Sequence, residues 1–114
     1  MTHIVSTASV EHYQWGENCD GWHLLKRDDV SIIQERVPPG GAEVQHLHRH
    51  ARQFFFVLSG EATLEINALT FVLHAQDGIE VPPGVPHQFS NESASEVVFL
   101  VVSWPPSHRD REMA

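Results

Sequence analysis

Proline and glycine divide this chain so finely that no long regular element fits between them. Pro38-Pro39-Gly40-Gly41, Asp77-Gly78, Pro82-Pro83-Gly84-Val85-Pro86 and Trp104-Pro105-Pro106 each mark a turn or an end. Proline fixes φ and lacks an N–H, and glycine admits backbone that other residues avoid. The runs between them are rich in β-branched and aromatic residues. They predict strands over Ser31–Val37, Glu43–His48, Gln53–Leu58, Ala62–Ile66, Leu69–Leu73, Gly78–Val81, His87–Ser90 and Glu96–Trp104. No segment sustains a helical period. The chain is therefore expected to be all-β, an antiparallel barrel or sandwich.

A length of 114 residues with 41% apolar content sets one domain able to bury a core without cross-links. The net charge of −8, with Lys and Arg scattered singly, argues against nucleic acid or an anionic membrane as partner. The single cysteine, Cys19, cannot form an intrachain disulfide. Met1-Thr2-His3-Ile4-Val5-Ser6 lacks the basic start and apolar run of a secretory signal. No apolar run approaches the roughly 20 residues that span a bilayer. A cytoplasmic protein is the expectation. Nine histidines is a high count, and their clustering hints at metal or acid–base chemistry.

Strand parity adds detail. Alternate side chains share a face, so His46 and His48 point the same way. Gln53, Phe55 and Val57 share one face of the next strand, and Phe54, Phe56 and Leu58 the other. Both faces are apolar and both need cover. The N-terminal segment or a second subunit would supply it, so a homodimer is expected. Residues 1–29 are read as a segment packing on or extending the barrel, 30–104 as the barrel, and 105–114 as a polar, poorly ordered tail. Trp15 and Trp22 would cap the barrel or add an edge strand, by packing or by stacking on a ligand.

Two ordered motifs resemble those of the cupin superfamily, in its small single-domain members. The first is a glycine, five residues, His-x-His, a short gap, Glu, six residues and Gly; Gly40, His46, His48 and Gly60 fit, with Gln53 at the Glu position. The second is Gly, five residues, Pro-x-Gly, two residues, His, three residues and Asn. Pro82, Gly84, His87 and Asn91 fit, and Gln76 stands at the opening glycine. The resemblance implies an antiparallel double-stranded β-helix, the jelly-roll or cupin barrel. It also implies that His46, His48, Gln53 and His87 hold one divalent transition metal ion. Gly60 and Gly84 would form turns that a side chain would obstruct, and Asn91 would satisfy backbone groups.

Three neutral imidazoles suit Fe, Mn, Ni, Cu, Co or Zn. A carboxylate fourth ligand would leave a divalent site near +1, whereas neutral Gln53 leaves it near +2, making bound water more acidic and oxyanions tighter ligands. Gln53 either ligates or orients a histidine by hydrogen bonding. It cannot act as a base. His50, Arg36, His74 and Glu80 are candidates for a further catalytic group, while Arg109 lies beyond a Pro-Pro break. Cys19, beside Glu17 and Asp20, is not expected to be catalytic. Two functions remain open: a metal-dependent enzyme acting on a small anionic or oxygenated substrate by Lewis-acid or dioxygen chemistry, of dioxygenase, isomerase or lyase type, or a non-catalytic binding or sensing module.

Overall fold

The computed structural model of the protein describes residues 2–107 and 110–114, and no helix occurs among them. The strands in chain order are β1 (His12–Trp15), β2 (Cys19–Lys26), β3 (Ser31–Val37), β4 (His46–His48), β5 (Arg52–Ser59), β6 (Ala62–Ile66), β7 (Leu69–Leu73), β8 (Gly78–Val81), β9 (His87–Ser90), β10 (Val97–Trp104) and β11 (Arg111–Met113). They form two antiparallel sheets, ordered β1-β2-β3-β10-β5-β8 and β11-β4-β9-β6-β7. The expected all-β jelly roll is what the chain adopts.

β3, β6, β7, β8 and β9 occupy the residues that turn punctuation marked, β5 is one residue longer at each end and β10 one residue shorter at its start. The strand expected over Glu43–His48 is shorter, because Glu43 spends its groups differently. Its N–H donates to the Phe89 carbonyl (3.0 Å) and its carboxylate accepts from the Phe89 N–H (3.1 Å). A side chain thus takes a place that a strand carbonyl would hold.

Both ends of the chain carry strands. The β1–β2 hairpin continues the first sheet beyond β3. The tail is not a loose appendage: β11 pairs with β4 in the register Arg111↔His48, Glu112↔Leu47 and Met113↔His46. Asp110 secures the junction by accepting from the N–H groups of Arg49 (3.1 Å), His50 (2.7 Å) and Ala51 (2.8 Å).

The core lies between the sheets. Phe89 of one sheet stacks on Phe99 of the other with centroids 4.0 Å apart, and Phe55 lies 6.2 Å from each. Burying each such ring stabilises the fold by about 1.5–3 kcal/mol before entropy is counted. The outer face of β5 partly covers itself, since Phe54 and Phe56 stack at 6.4 Å. Gly78 makes room for them; a Cβ there would sit 2.4 Å from Phe54 Cζ.

Asn91 has the backbone role expected of it. Fully buried, it donates to the carbonyls of Val37 (3.0 Å) and Ser95 (2.8 Å) and accepts from the Ser93 N–H (2.9 Å). Gly60 has φ of 85° and would place a Cβ 2.4 Å from the Glu96 carbonyl oxygen. Gln76 adopts φ of 74°, so a non-glycine takes the left-handed conformation that glycine adopts most readily.

Candidate metal centre

Antiparallel register brings the predicted histidines together. His46 on β4 pairs directly with His87 on β9, and His48 follows on the same inward face of β4. Their ring centroids are 4.4 Å (His46–His87), 4.9 Å (His46–His48) and 5.6 Å (His48–His87) apart. All three are buried, and one nitrogen from each lies within 4.8 Å of the others. That spacing suits a single ion.

Backbone carbonyls orient two of the rings. His46 Nδ1 donates to Val44 O at 2.7 Å and His87 Nδ1 to Val85 O at 3.0 Å. In each neutral ring the Nε2 lone pair is then directed inward, the tautomer a metal ligand needs. Burial holds His46 and His48 as bases near pH 4, and pushes His87 down as well. The rings therefore stay neutral at physiological pH. His48 Nδ1 is buried without a hydrogen-bond partner.

Gln53 points inward from β5 and completes the group. Its Nε2 donates to the hydroxyls of Ser103 (3.0 Å) and Ser107 (3.4 Å), which turns Oε1 toward His87 Nε2 at 3.2 Å. With His87 Nδ1 already protonated, that contact sets two lone pairs against each other. A cation between them resolves the conflict. Ligand atoms each about 2.1 Å from one ion and at about 90° are separated by about 3 Å. The residues present fit a divalent transition metal.

A cavity of about 550 Å³ opens beside this group, within the usual range for a small-molecule site. Tyr13 and Trp15 of β1 and His23 of β2 wall it on one side, and Val101 and Ser103 of β10 on another. Trp15 also packs on the core, and its buried indole N–H has no regular hydrogen-bond partner. Trp22 faces away, against the His12 ring at 5.2 Å. Gly21 is what lets Tyr13 reach across its neighbour strand; a Cβ there would lie 2.2 Å from Tyr13 Cζ.

Two carboxyls open on the same cavity, and sequence reasoning passed over both. Glu35 shares the inward face of β3 with Ile33, another cavity residue, between the buried Ser31 and Val37. Glu43 comes from the loop before β4. Glu35 keeps some accessible surface because it faces the cavity, yet protein crowds it. Desolvation, then the nearby Glu43 charge, pushes Glu35 up to about 8, with the Trp15 N–H pulling the other way. Desolvation pushes Glu43 up to about 7, opposed by the Phe89 N–H and Arg111. Parity on β3 was the available signal for Glu35, since a charge flanked by inward apolar positions has to be paid for by function or partner.

The other titratable candidates lie elsewhere. Arg36, one of the candidates for a further catalytic group, faces out. It holds Asp20 (2.6 Å), Glu96 (3.1 Å) and the Asn18 carbonyl (2.7 Å). His50 is an exposed bend residue, His74 lies near Glu61, and Glu80 pairs with Arg52 on the surface. Arg109 lies outside the described residues. Cys19 is buried in the core with its thiol pushed up by desolvation, as suits an inert position. In place of Arg36 the cavity receives Arg111 from β11, with Nη2 on the Val44 carbonyl at 3.4 Å.

A protein-family model described as the cupin domain matches residues 33–103. The chain belongs to the cupin family. Among solved structures, an RmlC-like cupin from Shewanella frigidimarina superposes with a TM-score of 0.84 at 20% identity, over 96% of each chain. The polyketide cyclase RemF from Streptomyces resistomycificus gives 0.82 at 21% identity, over 95% of this chain and 82% of its own. In sequence, the H2HPP isomerase of Bacillus subtilis is 31% identical over 75 residues, 65% of this chain and 31% of that protein. The chain spans well under half the length of the curated relatives it matches. No helix among the described residues is long and apolar enough to cross a membrane.

Proposed function

We propose that this cupin is a metal-dependent enzyme acting on a small anionic or oxygenated organic molecule. The reading rests on one observation: the histidine cluster borders a cavity that also presents two carboxyls and a guanidinium. Such convergence of polar groups with shifted pKa values suits catalysis better than a closed structural site. His46, His48 and His87 would hold the ion, with the Gln53 carboxamide oxygen as fourth donor. When bound, the metal supplies Lewis acidity, polarising a substrate oxygen, and an open-shell ion would also support dioxygen chemistry.

The chain's own residues set the rest. Ser103 and Ser107 fix the Gln53 amide, while Val44 and Val85 fix two imidazoles, so the ligand set is organised before an ion arrives. Tyr13, Trp15 and Val101 give the cavity aromatic and apolar wall. H2HPP isomerase and RemF, whose names denote an isomerase and a cyclase, are precedents for enzymes among the relatives.

The test is metal analysis of the purified protein, followed by titration of the stripped form with Fe²⁺, Mn²⁺, Ni²⁺ and Zn²⁺. One equivalent bound, and lost in His48→Ala, supports the site. Failure to bind any of them removes the basis of this reading. A metal-loaded protein that binds small organic acids without turning any over would be the non-catalytic module instead. We also propose a cytoplasmic homodimer, supported by the exposed Leu69, Phe71 and Val72 on edge strand β7. A monomeric mass in light scattering at micromolar concentration would refute the dimer.

A further inference from the structure

Glu43 ties the loop before β4 to β9 and Glu35 lies against Trp15, but both carboxyls also face the cavity. Glu43 accepts one backbone N–H, a bond that a neutral amide oxygen would serve as well. Glu35 interrupts the apolar inward face of β3 and aims at the cavity. Two carboxyls crowded by protein and facing one space resist simultaneous ionisation, so the pair readily holds a single proton. The groups facing them are Tyr13 from β1, Trp15 beside Glu35, His23 from β2, His46 and His48 of the histidine cluster, and Arg111 from β11. Both acids raise the Tyr13 phenol above its ordinary value, after burial itself, so that ring stays protonated and does not compete as a base. Arg111 is the only Lys or Arg lining the cavity among the described residues.

We propose that Glu35 and Glu43 form a proton-transfer pair that isomerises a small 2-oxo or enol carboxylate, with Arg111 holding the substrate's carboxylate. The inference rests on the metal-dependent reading above and names its reaction class. The ionised member of the pair takes the proton from the carbon next to the carbonyl. The C–H electron pair becomes the new C=C bond, and the carbonyl π pair moves to oxygen. The protonated member returns a proton to the enol oxygen or to the far carbon of the conjugated system. Atoms and electrons balance with no oxidant, and the pair ends with one proton, as it began.

Two measurements test this. In the metal-free protein, ¹³C-NMR of Glu carboxyls should show one proton retained by the pair near neutral pH. Glu43→Gln should shift the Glu35 titration downward, since a neighbouring charge is removed. Two independent carboxyls titrating near pH 4.5, the ordinary value, would overturn the pair whether or not metal binds. In the Mn²⁺-loaded protein, deuterium exchange at C3 of 2-oxobutyrate in D₂O is followed by proton NMR. Wild type should accelerate exchange, and Glu35→Gln and Glu43→Gln should each lose about a hundredfold of that acceleration with metal content unchanged. Arg111→Gln should raise the concentration for half-saturation about tenfold, with smaller effect on the maximal rate. No acceleration by wild type that holds its metal overturns the proposal and leaves the metal site standing. Absence of bound metal instead overturns the parent reading.

Discussion

The Gln53 carboxamide oxygen lies 3.2 Å from Nε2 of His87, a nitrogen left bare because the opposite side of the ring donates to Val85. Two acceptors at that distance make an arrangement that a cation stabilises and a vacant site does not. Replacing Gln53 with Glu adds a negative charge at the same point. The expected outcome is metal affinity raised at least about tenfold, near 1.4 kcal/mol, measured by competition with a chromophoric chelator. Bound water should become less acidic. An unchanged affinity would mean that Gln53 only orients His87.

The pH dependence of the metal-free protein follows from opposite shifts in two sets of groups. Glu35 and Glu43 release protons near 4.5 when unfolded but near 8 and 7 when folded, so the native state holds protons that the unfolded state has lost. Their contribution is present below pH 4.5 and disappears as pH rises through 7 to 8. His46 and His48 act in reverse: lowered from 6.5 to about 4, they remove stability as pH falls across that window. Urea denaturation should therefore show a maximum in the weakly acidic range and a decline toward pH 8. Glu35→Gln should flatten the decline above pH 6.5; an unaltered slope there would assign it to other groups.

Gln76 offers a test of backbone strain. A left-handed L-residue costs about 1–2 kcal/mol, and glycine avoids that at some loss of unfolded-state entropy. Gln76→Gly should raise stability by about 0.5–1 kcal/mol, read from the urea midpoint at constant m-value. Gly60→Ala should do the opposite and by more, because a Cβ there meets the Glu96 carbonyl at 2.4 Å as well as an unfavourable φ.

How much of this was legible beforehand depends on how local each signal was. The strands bounded by Pro and Gly, such as β3, β8 and β9, could be read to the residue, because the punctuation lies beside them. His46, His48 and His87 were legible through motif spacing, and their approach follows from one pairing, His46↔His87. β11 was not, because Arg111-Glu112-Met113 becomes a strand only through β4 and through the Asp110 contacts to residues 49–51, all distant in sequence. β1 and β2 failed the pattern for a related reason: Gly16 and Gly21 look like breakers, yet Gly21 is the space that Tyr13 fills. Parity could have exposed Glu35. Arg36, its neighbour, faces the other way.

Tyr13 gives a packing test. Gly21→Ala sets a methyl 2.2 Å from the Tyr13 ring, so the ring or the β1–β2 hairpin has to move. Overpacking of this kind costs about 1–3 kcal/mol. Gly21→Ala should cost far less in a Tyr13→Ala background than in the wild type, and an equal cost in both would mean the strain lies elsewhere.

The C-terminal strand delivers both an edge for β4 and the cavity's guanidinium, and Asp110 is its fastening. Three N–H groups converge on one carboxylate and hold its pKa low although burial pushes it up. Asp110→Ala leaves those donors to solvent, and the Ala51 N–H is the worst placed because Ala51 is buried. A loss of about 2 kcal/mol is expected, with amide exchange accelerated at residues 49–51 and across the Glu112↔Leu47 pairing. The phenylalanine core, held by Phe55, Phe89 and Phe99, should keep its protection. Uniform acceleration throughout the chain would show instead that β11 unfolds only with the whole domain. If exchange is confined to the strand, Arg111 leaves the cavity with it, and affinity for small carboxylates should fall in Asp110→Ala though every cavity residue is intact.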